Sequence, residues 1–177
     1  MDYTLPISDD FKFQIGAKYS DASLDNNLES LFDEIGIWEN NVGQSNHFLF
    51  DETIAAAYTK VTWKKNKWNG TAGLRYEDSN SVGYSITIDS TITRDIAKLF
   101  PSVSIGRSLT KELGATMAYS YRIDRPRYNN LNPFRYFLDQ YTFQKGNENL
   151  APALTHSLKF NLHYDNQPFF NLSLIHI

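Results

Sequence analysis

A two-residue alternation of apolar and polar side chains constrains this chain more than any other feature. In "FKFQIGAKYS" Phe11, Phe13, Ile15, Ala17 and Tyr19 share one parity, and Lys12, Gln14, Gly16, Lys18 and Ser20 share the other. Successive side chains of a strand project to opposite faces, so this pattern predicts a strand with one apolar and one polar face. In "WNGTAGLRYE" Trp68, Ala72, Leu74 and Tyr76 oppose Asn69, Thr71, Arg75 and Glu77. In "LGATMAYSYRID" Leu113, Ala115, Met117, Tyr119, Tyr121 and Ile123 oppose Gly114, Thr116, Ala118, Ser120, Arg122 and Asp124. "LTHSLKFNLHY" sets Leu154, Leu158, Phe160, Leu162 and Tyr164 against Thr155, Ser157, Lys159, Asn161 and His163. "PSVSIGRSL" alternates with Arg107 interrupting its apolar face, and "DETIAAAYTKVTW" is strand-like with either face open. Several of these runs exceed the usual strand of about five or six residues and approach the ~9–11 tilted residues that cross a bilayer.

The connections add a second constraint. Short turns are expected near Ser8–Asp10, Lys64–Lys67, Thr110–Glu112 and Asp165–Pro168, and long connections near Asp21–His47, Asp78–Ala97 and Arg125–Ala153. Short turns at one end and long loops at the other are the pattern of a transmembrane β-barrel, whose short turns face the periplasm. Aromatic residues reach 15%, with 11 Tyr and 12 Phe, and Tyr19, Tyr76, Tyr121 and Tyr164 fall at strand ends where ring and hydroxyl straddle an interface. A mean hydropathy of -0.45 fits such a barrel, because half of each strand faces a wet or plugged lumen. A soluble antiparallel sandwich also alternates and stays open as an alternative, although it accounts less well for the strand lengths and the one-sided loops.

Other classes of function find little support. A net charge of -3 gives no basic footprint for nucleic acid. Without cysteine there is no disulfide scaffold and no thiolate metal site. His156 and His163 stand on opposite faces of one strand and cannot share a metal. "SLTK" at Ser108–Lys111 has the spacing of an acyl-enzyme motif but falls at a strand end and turn, where that chemistry wants a helix start. The adjacent pairs Asp33–Glu34 and Asp51–Glu52 read as divergent or solvated carboxylates, and Trp38 as a residue packed within a long loop or stacking on a sugar. The chain is therefore expected to be neither an enzyme nor dependent on a cofactor or metal. No run approaches the ~20 apolar residues of a membrane-spanning helix, and "MDYTLPISDDFKF" has no basic region followed by an apolar one, so no signal peptide is visible.

The segment "YRIDRPRYNNLNPFRYFLDQYTFQKGNENLAP" (121–152) is too punctuated for a strand and too aromatic for a flexible linker. Pro126 removes a backbone donor and should end the preceding ladder. Pro133 restricts Asn132 to extended geometry, and Gly146–Asn147 offers positive-φ turn capacity. Arg122, Arg125, Arg127 and Arg135 are expected to reach Asp124, Asp139 or backbone carbonyls, with Phe134, Tyr136 and Phe137 packed together in an ordered extracellular loop. If the loop touches a ligand at the lumen mouth, Arg125, Tyr128, Asn130 and Arg135 are the candidate contacts.

The ordered set Arg122–Ile123, Arg125–Pro126, Leu131–Asn132–Pro133 and the Gly146–Asn147-x-Asn149–Leu150-x-Pro152 run, preceded by "AGLRYE" and "LFPSVSIG", resembles the outer-membrane β-barrel family common in Bacteroidota, the barrel part of TonB-dependent-receptor-like proteins. The resemblance covers roughly residues 50–165, and Glu148 stands where the family more often has proline. It implies an all-β fold: an antiparallel up-and-down meander of about eight long strands, part of a larger transmembrane β-barrel of about 22 strands. Residues 1–177 would be one partial barrel domain, a fragment with no plug domain and no signal peptide, stopping inside the apparent strand "FFNLSLIHI". The implied function is that of a segment of a TonB-dependent-type receptor for nutrient or chelate uptake in the cell outer membrane. The implied partners are outer-membrane lipid and lipopolysaccharide, an energy-coupling TonB-type protein acting through an N-terminal region outside this chain, and a small ligand. Two alternatives remain beside it: a soluble β-sandwich binding module for carbohydrate, and an outer-membrane barrel serving assembly or adhesion.

Overall fold

The computed structural model describes every residue of the chain except Gln140 and Asn166. The elements in chain order are β1 (Asp2–Ser8), β2 (Phe11–Leu28), β3 (Leu31–Glu34), β4 (Ile37–Asn40), β5 (Asn46–Lys65), β6 (Trp68–Ser85), β7 (Ser90–Ser108), β8 (Leu113–Asp124), α1 (Tyr128–Leu131), β9 (Arg135–Phe137), β10 (Phe143–Lys145), β11 (Ala153–Tyr164) and β12 (Gln167–His176). One sheet of 8 strands runs in the order β1-β2-β5-β6-β7-β8-β11-β12, with every neighbouring pair antiparallel. This is the expected up-and-down meander. The hairpins β3–β4 and β9–β10 stand outside it. Among the described residues, no ladder joins β1 to β12, which form the two edges.

The register places the apolar parities of all eight strands on a single face. Ile15 lies beside Thr59 and Tyr3, Thr59 beside Leu74, Leu74 beside Pro101, and Ile105 beside Met117, which lies beside Phe160. This settles the face of β5: Ala55, Ala57, Thr59, Val61 and Trp63 join the apolar side. That side is exposed, including Phe11, Ile15, Leu74, Leu99, Val103, Ile105, Met117 and Leu172. The other side is where burial occurs, and much of what it buries is polar: Glu77, Ser79, Ser85 and Ser157 beside Phe48, Ala56 and Phe100. A soluble sandwich would bury the apolar face against a second sheet. Here the distribution is inverted, and a continuous apolar surface of this extent requires a nonpolar surrounding.

The band has the right height. On β2 the outer face is apolar from Phe11 to Tyr19 and turns polar at Asp21; on β6 it turns polar at Asp78, and on β7 at Asp95. At about 3.3 Å per residue and a tilt of about 40°, Phe11 to Tyr19 spans roughly 20 Å, close to the ~25 Å apolar band of outer-membrane barrels. Trp63, Trp68 and Tyr164 rim it at the short-turn end; Tyr19, Tyr76, Tyr119 and Tyr121 rim it at the other. Arg107, the interruption in its strand, lies beside Trp68, with its guanidinium carbon 4.9 Å from the indole centroid. A cation stacked on the interfacial ring keeps its charge at the rim of the band.

Two of the three expected long connections prove to be mostly strand. Asp78–Ala97 is a continuation of β6 and β7 closed by residues 86–89, with Asp89 at φ 49°. Asp21–His47 shrinks to residues 29–45, which hold the β3–β4 hairpin. The apolar alternation stops at the membrane surface, but the backbone ladder does not need it. On the outer face Asp78, Asn80 and Asp95 meet solvent there, on the inner face Ser79 and Ser85 are buried, and the N–H and C=O groups go on pairing. β5, with 20 residues, thus rises far beyond the lipid band. Prolines mark where pairing ends. Pro101 lacks an N–H, and the β7–β8 ladder stops beside it at Ser102 and Ser120. Pro6 and Pro168 lie on the edge strands at register shifts.

Candidate functional site

The connection from β8 to β11 builds the candidate site. β8 ends at Asp124, before Arg125–Pro126, as the proline requires. α1 is a single helical turn that stops at Asn132, held extended by the following Pro133 at φ -63° and ψ 114°. The Asn132 Oδ1 accepts the Phe134 N–H at 3.0 Å, and β9 and β10 then form a hairpin. The chain returns across α1: the Gly146 N–H donates to the Asn132 carbonyl at 3.0 Å and the Asn147 N–H to the Asn130 carbonyl at 2.7 Å. Gly146 does not supply the expected positive φ. It supplies close approach instead, since a Cβ there would sit 2.8 Å from the Asn130 carbonyl oxygen and closer still to that of Asn132. Gly146→Ala should therefore loosen this crossing by about 1–3 kcal/mol. The check is amide exchange, in which residues 146–150 should lose protection while the sheet keeps its own.

The loop is tied to the inner face of the sheet by charge. Glu77, only 2% exposed, accepts from the Arg75 Nη2 on one carboxylate oxygen and from the Arg125 Nη2 on the other. Arg125 also donates to the Ser79 Oγ at 3.0 Å and lies 3.7 Å from Glu52. Farther up, the Arg94 Nη2 donates to the Glu148 carbonyl. A carboxylate withdrawn from water is held only by partners of this kind, so the cluster is a latch between loop and wall.

Beside the latch the loop encloses a cavity of about 280 Å³ against the upper ends of β2 and β5. Its lining is Asn26, Leu28 and Asn46 from the wall, with Asn129, Asn132, Phe134, Tyr136, Gln144 and Gly146 from the loop. None of these side chains carries a formal charge. The wall and the loop meet where the Asn46 Nδ2 donates to the Asn132 Oδ1 at 3.4 Å.

The four expected ligand residues are not gathered in one place. Arg125 is committed to the latch. Tyr128 opens α1 with an exposed ring, and Asn130 contributes its backbone carbonyl to the chain crossing. Arg135 lies on the hairpin with its guanidinium carbon 5.1 Å from the Phe143 centroid. None of the four lines the amide cavity. The expected arginine partners were also different ones. Among the described residues Arg122 and Arg127 form no ion pair, and Asp139 instead accepts the Tyr141 N–H at 2.7 Å, which with the bonds from Thr142 holds its carboxyl below the usual range. The expected aromatic cluster does not form: Tyr136 and Phe137 are exposed, and Phe137 pairs with Phe143 at 5.9 Å. Trp38 is likewise 68% exposed on β4 rather than packed in the loop. The sequence reading missed Glu77 and Glu52 as latch partners and Asn46 as a cavity wall. The only signal for the cavity was the density of asparagine in "YNNLNP" and "GNEN".

In comparison with known families, a model described as outer membrane protein beta-barrel family matches residues 1–177. Comparison with curated proteins gives no match.

Proposed function

Because the chain belongs to the outer membrane protein β-barrel family and is placed in the outer membrane, we propose that it forms part of the wall and mouth of a receptor for uptake of a small nutrient or chelate. In this reading passage is energised through a TonB-type coupling protein, and the chain performs no covalent chemistry. The observation that carries it is the latched loop. A general diffusion pore keeps a water-filled lumen, whereas here the loop that follows β8 is fastened across the inner face by Arg125 and Arg94. A mouth filled in this way suits selective, gated passage better than sieving.

The test is liposome swelling with the membrane-inserted protein. Small sugars should permeate slowly through the native protein. They should permeate several-fold faster when the latch is cut by Arg125→Ala. Fast, size-graded swelling of the unaltered protein would point to an open pore and overturn the receptor reading. Swelling at the background rate for both proteins would favour a barrel used for assembly or adhesion.

A further inference from the structure

We propose that the cavity between α1, the β9–β10 hairpin and the tops of β2 and β5 binds an uncharged, polyhydroxylated ligand of the saccharide class. The proposal rests on the uptake reading only in treating this ligand as cargo.

The donor set indicates the ligand. Asn26, Asn46, Asn129, Asn132 and Gln144 are all primary amides, a group with one acceptor oxygen and two donor hydrogens, although the Asn132 oxygen is already taken by the Phe134 N–H and the Asn46 Nδ2. A hydroxyl group also both donates and accepts, so a cage of amides matches it. A phosphate or carboxylate ligand would be served better by arginine or lysine, and a cationic one by Asp or Glu; none of these lines the cavity. Phe134 and Tyr136 add ring surface against which the C–H face of a sugar can lie, the C–H groups resting on the electron-rich face of the ring.

Asn46 supplies the second observation. It is 3% exposed, and among the described residues its Oδ1 has no hydrogen-bond partner. Its amide orientation follows from its neighbours. The Asn132 Oδ1 already accepts the Phe134 N–H, so it is an oxygen, and the Asn46 atom facing it must be the donor nitrogen. The Asn46 oxygen is therefore the remaining atom, on a residue that lines the cavity, and it calls for a donor. A buried acceptor left unpaired is costly, and a ligand hydroxyl meets that need.

The test is calorimetric titration of the purified full chain in detergent micelles. The probes are the uncharged trisaccharides maltotriose, cellotriose and galactotriose, with trigalacturonate as the charged comparison. At least one uncharged probe should bind, and trigalacturonate should bind more weakly. Asn46→Leu should weaken binding about 10-fold, the effect of losing one buried hydrogen bond to the ligand. Tyr136→Ala, at an exposed rim position, should weaken it a few-fold and decides the matter if Asn46→Leu fails to fold. Trp38→Ala, outside the cavity, should leave binding unchanged. The proposal is overturned if no uncharged probe binds, if trigalacturonate binds more tightly, or if the cavity variants bind like the native chain. Gated swelling without saccharide binding would overturn this proposal and leave the uptake reading standing. Saccharide binding in a protein that never gates would do the reverse.

Discussion

Met117→Arg should nearly abolish assembly in the membrane, while Thr116→Arg should be tolerated. The two residues are adjacent in β8 and differ in face. Met117 lies between Ile105 and Phe160 on the outer side and is 52% exposed there. It is flanked along its strand by Leu113 and Tyr121, which places it near the middle of the apolar band. Thr116 lies between Gly106 and Asn161 on the inner side. An arginine on the lipid face at the midplane costs about 2–4 kcal/mol, whereas an inner one meets polar groups and water. That difference corresponds to roughly 30- to 900-fold in the folding equilibrium. It is measured as the folded fraction by heat-dependent gel mobility, or by urea titration in micelles. Equal tolerance of the two arginines would contradict the assignment of faces.

The second large effect is expected at Glu77. Glu77→Leu leaves Arg75 and Arg125 facing each other with their shared carboxylate gone, and Arg125→Met leaves one Glu77 oxygen without its donor. Removing one partner of a buried ion pair costs about 3–5 kcal/mol, and replacing both by apolar groups of similar volume recovers much of that loss. Arg125 retains some solvent contact, with 22% of its side chain exposed, so the lower end of the range applies. The readout is local. Trypsin should cut after Arg127, Arg135 and Lys145 faster in either single variant than in the native protein, while the sheet stays resistant. The double variant Glu77→Leu/Arg125→Met should move back toward native resistance. If cleavage in the single variants equals that of the native protein, the cluster does not hold the loop.

Side-chain parity is the part of this protein that its sequence determines by itself. Whether Ile15 and Met117 face outward is decided by an alternation running along each strand, and a one-residue slip would turn every side chain of that strand around. The tight turns are local in the same sense. Asn66 and Asp165 adopt positive φ between hydrophobic runs, at positions where these residue types are tolerated. Together these place the apolar band, its aromatic rims and the order of the meander.

What only the tertiary structure decides is what depends on residues far apart in the chain. The strands continue past the apolar band because their neighbours offer backbone partners there, which no side-chain pattern records; hence residues 78–97 look like a loop in the sequence and form a hairpin of paired strands. Arg125 had acidic residues close by in sequence, yet it pairs with Glu77, 48 positions away, because the loop crosses the inner face where Glu77 has been taken out of water. The amide cavity needs Asn46 and Asn132, separated by 86 positions, to meet. Alternation says which way a side chain points from its own strand. Which partner it finds there is set by the register of the whole sheet and the path of the loop over it, and those follow from the summed desolvation and pairing of many distant groups.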